Sequence, residues 1–397
     1  TSLNSTSAAT QTQRIAASGL ELLGAGGTYT LSNAANSVNT LAANTGSVNY
    51  ANASALTVST VNTTDGITAT GNVSIKTLSG DITLSKNITT TGTVNLEAAG
   101  AIVRTAGTVT TGTLNLKAGS AIGSAGGRVQ TNVDYLSADA GDDIFITEAN
   151  SVSVAAQTTA NNGSIDLATT NGTLNISNVN AIAGITSHGT GNIDLTGNTN
   201  SGTGIYLGSN VTATNGNITI TGTTASTTNF DAGIKSNSSS TISAQNITMT
   251  ASATGTSGSV LGYYGAGASF NASQQLNLTG TTAASANGFY SYTGSFASGT
   301  GMSISGTSAS GQAVGLDNGI TLTNGNSGGI SITGTATTTA NEAIGLRGTT
   351  ISNSGGDITL TALSGGLIST SGNLAWGRGV LTNTITNAAG AGTIQIS

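Results

Sequence analysis

The chain has 397 residues, of which 58 are glycine, none is proline or cysteine, and one is histidine. Charged residues make up 6% of the chain, against about 25% in ordinary globular proteins. A hydrophobic content of 36% is too high for a chain kept unfolded by charge repulsion, so the protein is predicted to fold. The net charge of −6 argues against nucleic-acid binding. No apolar run approaches the ~18 residues of a membrane-spanning helix, so no membrane insertion is predicted.

Residues 1–160 contain short strand signals in which apolar and polar residues alternate. Examples are Tyr29-Thr-Leu31, Val73-Ser-Ile75, Ile82-Thr-Leu84 and Leu114-Asn-Leu116. Alternation places the apolar side chains on one face of a strand, as in a strand half-buried on a core. The steps between these signals vary, and the sequence therefore predicts solenoid coils with shorter or irregular spacing in this region.

Acidic residues are concentrated in the segment 134–148, where five of the fifteen occur: Asp134, Asp139, Asp142, Asp143 and Glu148. This concentration interrupts the strand pattern and predicts an acidic loop or a change of register. A solvated loop is the simpler interpretation. The alternative is a structural Ca²⁺ site at Asp139, Asp142 and Asp143, because Ca²⁺ prefers oxygen ligands. The spacing does not match the known calcium-loop pattern, and no other cofactor is predicted.

Residues 161–397 repeat a motif in which a Gly-Asn or Gly-Asp pair, or a variant of it, precedes an apolar–polar–apolar strand. The first apolar residues of the motif are Ile193, Ile218, Ile247, Leu276, Met302, Ile330 and Ile358. Their regular spacing indicates coils of about 27–28 residues. The predicted structural core consists of Ile193, Leu195, Ile218, Ile220, Ile247, Met249, Leu276, Leu278, Ile330, Ile332, Ile358 and Leu360.

Each of these repeats carries two further strand signals. One follows small residues, as in Gly233-Ile234, Val260-Leu261, Gly288-Phe289 and Val380-Leu381, and the other resembles Val211-Thr-Ala213. Three short strands per repeat describe one coil of a three-sided parallel solenoid. Stacked columns of Thr, Ser and Asn do not repel one another as columns of like charge do, which explains the composition. The predicted fold is all-β, with one continuous solenoid through both regions.

Three stretches of the first region combine apolar residues with glycine, threonine or asparagine turns. They are Gly19-Leu-Glu-Leu-Leu-Gly-Ala-Gly-Gly27, Leu41-Ala-Ala-Asn-Thr-Gly-Ser-Val48 and Gly66-Ile-Thr-Ala-Thr-Gly-Asn-Val73. Together with the later Gly-Asn-Ile-Thr-Ile-Thr-Gly coils, they resemble the shaft repeats of filamentous haemagglutinin-like exoproteins, over essentially the whole chain. The resemblance implies a right-handed parallel β-helix. It also implies export by two-partner secretion, with an outer-membrane transporter as the partner.

The same resemblance implies an extracellular or bacterial cell-surface location and a role in adhesion, biofilm formation or presentation of a distal domain. The secretion domain of such proteins carries Asn-Pro motifs, whereas this chain has no proline. The chain is therefore interpreted as an internal, structural shaft segment. Its host-cell, surface or matrix receptor is not specified by the sequence, and end-to-end self-association into fibres is left open. No enzymatic activity is predicted.

An ice-binding solenoid is one alternative. Thr-x-Thr rows such as Thr219/Thr221 and Thr248/Thr250 are typical of ice-binding faces, although Asn, Ser and Asp interrupt the rows. Thr is also a common outward residue of strands.

A carbohydrate-binding or carbohydrate-active β-helix is the other alternative. The single histidine, His188, lies in a Ser-His-Gly turn with no catalytic motif around it. Two aromatic groups fit either sugar stacking or the filling of wide coils, of which filling is favoured. They are Tyr263-Tyr264 and the set Phe289, Tyr290, Tyr292 and Phe296.

Overall fold

The computed structural model of the protein describes residues 1–160, 162–238, 240–256, 258–337, 342–363, 367–369, 383–388 and 392–397. In these residues the chain forms β-strands joined by turns and bends, and no helix is present. Two short hairpins in the described residues are antiparallel. The other strand pairs are parallel, and each joins a strand to its counterpart in the next coil. The all-β, parallel and solenoid-like part of the predicted fold is therefore confirmed.

The strands up to residue 183 are β1 (Ser2–Asn4), β2 (Ala8–Thr10), β3 (Ala16–Leu31), β4 (Ser37–Asn52), β5 (Leu56–Val58), β6 (Thr60–Val61), β7 (Thr64–Asp65), β8 (Ile67–Ala69), β9 (Val73–Thr77), β10 (Ile82–Leu84), β11 (Ile88–Thr90), β12 (Thr93–Ala98), β13 (Ile102–Arg104), β14 (Thr108–Ala118), β15 (Val129–Ala140), β16 (Ile144–Glu148), β17 (Val152–Thr158), β18 (Ile165–Thr169), β19 (Leu174–Ile176), β20 (Asn178–Val179) and β21 (Ile182–Ala183).

The strands after residue 183 are β22 (Ile185–Ser187), β23 (Ile193–Thr199), β24 (Ile205–Leu207), β25 (Val211–Ala213), β26 (Asn217–Thr224), β27 (Ala232–Ser236), β28 (Thr241–Ala244), β29 (Asn246–Ala253), β30 (Leu261–Ala266), β31 (Ser269–Ala272), β32 (Gln275–Thr282), β33 (Phe289–Tyr292), β34 (Ser295–Ser298), β35 (Gly301–Ser308), β36 (Val314–Asp317), β37 (Thr321–Asn324), β38 (Ile330–Ala336), β39 (Glu342–Arg347), β40 (Thr350–Asn353), β41 (Ile358–Leu363), β42 (Leu367–Ser369), β43 (Thr384–Asn387) and β44 (Ile394–Ile396).

The chain divides into two compact units. Unit 1 consists of Thr1–Ala168 and Asn178–Ala183, and unit 2 consists of Thr169–Ser177 and Gly184–Ser397. In unit 1, apolar residues stack over apolar residues of the next coil, because parallel pairing in a fixed register keeps one side of each strand inside. The side chains of one such column are at most 1% exposed. This column consists of Val48, Val73, Val94, Leu114, Leu136 and Val154.

Unit 2 contains three columns of strands per repeat. The first column passes through Ile193, Ile218, Ile247, Leu276, Met302, Ile330 and Ile358, the residues that open the sequence motif. The second passes through Leu174, Ile205, Ile234, Tyr263, Phe289, Val314 and Ile344. The third passes through Ile185, Val211, Ile242, Phe270, Phe296, Leu322 and Ile351.

The twelve predicted core residues of unit 2 are all inside, each at most 1% exposed. One strand signal of the second column is shifted: Leu261 pairs with Ala232, and Tyr263 takes the inward position beside Ile234. The signal at Val380-Leu381 lies outside the described residues.

Small residues occupy one inward position of every repeat in unit 2. They are Gly197, Gly222, Ala251, Gly280, Gly306 and Gly334, which follow one another in register. A Cβ on Gly222 would lie 2.2 Å from the carbonyl oxygen of Gly233, and one on Gly306 would lie 1.9 Å from that of Ala313. Two segments of the coil therefore meet backbone to backbone here, and the close approach favours a residue without a side chain.

The segment 134–148 is mostly strand, which corrects the prediction of an acidic loop. Asp134 and Asp139 lie within β15, and Glu148 is the last residue of β16. The coil is shorter at this point, because the step from β15 to its partner strand β17 spans less of the chain than the step from β14 to β15. The acidic residues thus accompany a shorter coil.

Asparagine and aspartate side chains tie successive coils together. The Oδ1 atom of Asn72 accepts a hydrogen bond from the backbone N–H of Thr93 at 2.9 Å, and Asn246 does the same for Gln275 at 3.1 Å. Asn52 is fully buried and bonds the backbone of Val38 with both side-chain atoms. A buried backbone N–H needs such a partner where a turn interrupts the ladder.

Candidate functional site

A regular surface of unit 2 is the outward side of β23, β26, β29, β32, β35, β38 and β41, here called the hydroxyl face. Its central column is Thr196, Thr221, Thr250, Thr279, Ser305, Thr333 and Thr361. One flanking column is Asp194, Thr219, Thr248, Asn277, Ser303, Ser331 and Thr359. The other is Asn198, Thr223, Ser252, Thr281, Thr307, Thr335 and Leu363.

The hydroxyl face consists mainly of threonine and serine side chains, interrupted by Asp194, Asn198, Asn277 and Leu363. Of the residues in its three columns, Asp194 alone carries a charge, and it lies at one end. Neighbouring strands lie about 4.8 Å apart, and alternate residues along a strand lie about 6.6–6.8 Å apart. Hydroxyls of adjacent coils also bond one another, as Thr279 and Ser305 do at 3.0 Å. The sequence pattern predicts two of the columns, and the structure adds the third.

The predicted aromatic groups separate into an interior set, to which the structure adds Phe270, and an exterior set. Tyr263 stacks on Phe289 at 4.6 Å between ring centroids, and Phe270 stacks on Phe296 at 5.5 Å. All four rings are at most 1% exposed and fill the coil. Burial raises the pKa of the Tyr263 phenol, whose hydroxyl bonds Ser236. Filling is therefore the role of these rings.

The exterior aromatic set lies on the outward side of β27, β30 and β33. Tyr264 stacks on Tyr290 at 5.9 Å, and the Lys235 ammonium lies 5.6 Å from the Tyr264 ring centroid. Both tyrosines are partly buried because they pack against Leu261 and its neighbours. The contact between Lys235 and Tyr264 is a cation–π interaction, which stabilises the stacking of these outward side chains.

A network of charged groups continues from this set. Arg347 pairs with Asp317 at 3.1 Å and with Glu342, which also accepts a hydrogen bond from Gln312 at 2.6 Å. Burial raises the pKa of the Asp317 carboxyl, and the charge of Arg347 limits that rise. The network joins β36 to β39 and leaves little of its charge in water.

The other predicted site residues are dispersed. His188 lies in an exposed turn after β22. Asp139 accepts a hydrogen bond from Gln157 at 3.1 Å, Asp143 accepts one from the backbone N–H of Ser164 at 2.7 Å, and Asp142 is exposed in the turn between them. Within the part of the chain that the structure describes, no three histidine, aspartate or glutamate side chains are grouped so as to hold a metal ion. The calcium site stays a prediction that chelation tests.

Within the described ranges, two antiparallel hairpins project from the parallel ladder, and the sequence pattern does not predict them. Hairpin 1 pairs β6 with β7, and hairpin 2 pairs β20 with β21. Asn62 and Asn180 occupy equivalent turn positions with φ of 52° and 55°, in the left-handed region that asparagine tolerates. The signal that identifies them is a shared sequence: Ser59-Thr-Val-Asn62 and Ser177-Asn-Val-Asn180 each come before Gly-Ile-Thr.

Hairpin 1 is fixed to the strands beneath it by a buried carboxylate. Glu21 accepts hydrogen bonds from Thr64 at 2.6 Å, from Asn62 at 2.7 Å and from Ser2 at 2.7 Å. These three donors lower the pKa of Glu21. Hairpin 2 has no carboxylate in the equivalent contact, where Asn180 lies 3.5 Å from the Oδ1 atom of Asn115.

Comparison with protein-family models, with curated proteins and with solved structures finds no match for this chain. Among the residues that the structure describes, no helix is both long and apolar enough to cross a membrane.

Proposed function

We propose that this chain is a structural shaft segment of a secreted or cell-surface bacterial exoprotein similar to the filamentous haemagglutinin-like adhesins. The observation that carries the proposal is the continuous register of unit 2 from Ile193 to Ile358, where six successive repeats stack strand on strand. A fold that grows by equal repeats spans distance without requiring a reactive site. No catalytic role is assigned to the chain.

We further propose that the coils form a right-handed, three-sided β-helix. Support comes from the three strand columns of unit 2, in which every repeat supplies one strand to each column. Crossover connections between parallel strands of one sheet are right-handed in about 98% of cases, which favours this hand.

The composition is compatible with export through an outer-membrane transporter partner. A chain without cysteine or proline forms no disulfides and has no slow prolyl isomerisation, so nothing covalent delays its folding after export. In this proposal the protein lies outside the bacterial cell, and the parent exoprotein contacts its receptor or presents a distal domain while this segment sets the distance.

Electron microscopy of the purified full chain tests the shaft proposal. We expect isolated elongated particles that look the same in EDTA and in millimolar Ca²⁺. Compact particles would contradict a shaft. Filaments formed end to end would instead make self-assembly the function. Collapse of the particles in EDTA would assign a structural metal to the acidic segment that contains Asp139, Asp142 and Asp143.

The hydroxyl face supports ice binding as a second candidate. The specific observation is the third outward column, which widens the predicted rows into a lattice three residues across. Thermal hysteresis measures this activity directly. If the face binds ice, Thr250→Lys in its centre abolishes the hysteresis, whereas Thr212→Lys, on the outward side of β25, leaves it unchanged. Wild-type protein without hysteresis excludes this candidate and leaves the shaft proposal intact.

A further inference from the structure

Hairpin 2 and the strands beneath it border a small, open surface pocket in unit 1. The pocket has a volume of about 340 Å³ and is lined by Thr93, Thr113, Asn115, Tyr135, Asn178, Val179 and Asn180. Ligand sites in proteins begin at about 300 Å³, so the space suits a single small molecule. All seven side chains are uncharged, which favours a neutral ligand.

The floor of the pocket is an exposed aromatic ring. Tyr135 is 53% exposed, whereas Tyr29 and Tyr50 of the same unit are 1% exposed. It lies on β15 beside Thr113 of β14, in an outward column that otherwise holds threonine and serine. An aromatic ring that stays in water lacks the favourable free energy of burial. A ligand that covers the ring supplies that free energy, and aromatic rings are therefore common at binding surfaces.

The wall of the pocket carries amide groups in fixed orientations. Asn115 donates a hydrogen bond from Nδ2 to Oδ1 of Asn95 at 2.8 Å and accepts one from the Ser137 hydroxyl at 2.7 Å. These two bonds fix which side of the Asn115 amide faces the pocket. Asn180 approaches the same oxygen from the tip of hairpin 2. Amides offer both donors and acceptors, and so match the hydroxyl groups of a sugar.

We propose that this pocket binds a neutral saccharide, one or two pyranose units in size. The Tyr135 ring lies against the C–H face of the sugar, and the amides of Asn115 and Asn180 bond its hydroxyls. This inference goes beyond the proposed function, because a shaft requires no ligand of its own. It would place a sugar-binding site on the side of the shaft rather than at a distal domain.

Hairpin 1 provides an internal comparison for this site. The pocket beside it is lined by Glu21 and Asp65 together with aliphatic, threonine and asparagine side chains, and it contains no aromatic ring. Its turn residues are bonded to Glu21, as described above. The two hairpins therefore share a backbone design, but hairpin 2 alone combines an exposed ring with an uncharged amide wall.

Ligand-observed NMR with the full chain tests the proposal. The probes are the methyl glycosides of glucose, galactose, mannose and N-acetylglucosamine, with a sulfated heparin disaccharide as the charged comparison. We expect saturation transfer to at least one neutral glycoside, with millimolar affinity. Tyr135→Ala should weaken that binding at least tenfold, while Tyr135→Phe, which keeps the ring face, should change it less than threefold.

Matched variants separate binding from folding. Tyr135 is exposed, so Tyr135→Ala should retain the melting temperature of the wild type, and Asn62→Ala in hairpin 1 should leave sugar binding unchanged. Failure of all four neutral glycosides to bind would overturn the proposal, as would binding only of the sulfated probe, or binding that survives Tyr135→Ala. None of these results bears on whether the chain forms a shaft, which the microscopy decides.

Discussion

Unit 1 and unit 2 build the same kind of parallel ladder from coils of different length. One coil of unit 1 carries the chain from Val94 to Leu114, whereas one coil of unit 2 carries it over the longer step from Ile218 to Ile247. A longer coil encloses a wider interior, and unit 2 fills it with the stacked aromatic rings of β30, β31, β33 and β34. In these coils of unit 2 the larger inward residues thus fill the wider interior.

The two units also differ in how their outward columns carry charge. In unit 1 the column through Lys76, Glu97, Lys117 and Asp139 alternates in sign from coil to coil, and Lys76 pairs with Glu97 at 3.0 Å. In unit 2 the hydroxyl face is nearly uncharged, and three charged side chains elsewhere, Asp317, Glu342 and Arg347, form one network. Either arrangement avoids like charges on adjacent strands, which would repel.

The largest effect is expected from emptying the aromatic interior of unit 2. Phe289→Ala removes a ring stacked on Tyr263 and leaves a cavity, so we expect a loss of about 3–5 kcal/mol in the free energy of unfolding. The smaller Val94→Ala in unit 1 serves as the control and should cost less. Hydrogen exchange should rise in β30, β33 and β36 and stay unchanged in distant coils. Faster exchange throughout unit 2 would show that the repeats do not open locally.

The second prediction compares the loss of stability when a buried charged pair of unit 2 and an exposed charged pair of unit 1 are broken. The side chains of Arg347 and Asp317 are 18% and 6% exposed, so Arg347→Met leaves a buried carboxylate unpaired and should cost about 3–5 kcal/mol. In unit 1 the Lys76–Glu97 pair is 46% and 44% exposed, and Lys76→Met should cost about 0–1 kcal/mol. Urea unfolding of both variants measures the difference. Equal losses would mean that the Arg347 network is as well solvated as a surface pair.

Much of the ladder in unit 2 follows from the sequence, because two periods coincide there. The alternation within a strand and the regular recurrence of the Gly-Asn motif together place Ile218 and Ile247 in one inward column. Where only one of these periods is present, the predicted strand is displaced along the chain. Val260-Leu261 has the composition of a strand, yet Tyr263 takes the inward position. An aromatic ring in a wide coil does not follow the aliphatic pattern that locates its neighbours.

Features that depend on contacts between distant residues are not evident from local patterns. Gly222 looks like a turn residue in sequence, but it lies inside a strand where it contacts the backbone of Gly233. Hairpin 2 is polar and short, and its contact between Asn180 and Asn115 joins residues 65 positions apart. The pocket above Tyr135 therefore could not be derived from the sequence, although the shared Ser-x-Val-Asn segments mark the hairpins.

The smallest effect distinguishes two buried glutamates within unit 1. Burial raises the pKa of Glu148 above its ordinary value of 4.5, although Thr131 and backbone N–H groups bond it. The folded state therefore binds this proton more tightly than the unfolded state does. The resulting stabilisation is complete below the ordinary pKa and is lost as the pH rises through the raised pKa. Hydrogen bonds lower the pKa of Glu21, so its stabilisation is present above pH 4.5 and is lost on acidification.

Glutamine variants test these opposite signs by thermal melting between pH 3 and pH 8. Glu148→Gln keeps the size of the side chain without the charge, so we expect it to match the wild type at low pH and to become the more stable protein as the pH rises above 4.5. Glu21→Gln should also match at low pH, but it should become the less stable protein as the pH rises, because it loses the charge that Thr64, Asn62 and Ser2 stabilise. If both variants diverge from the wild type in the same direction, the burial of Glu148 does not outweigh its hydrogen bonds. In that case the short coil at β15 to β17 solvates its carboxylate as effectively as hairpin 1 does.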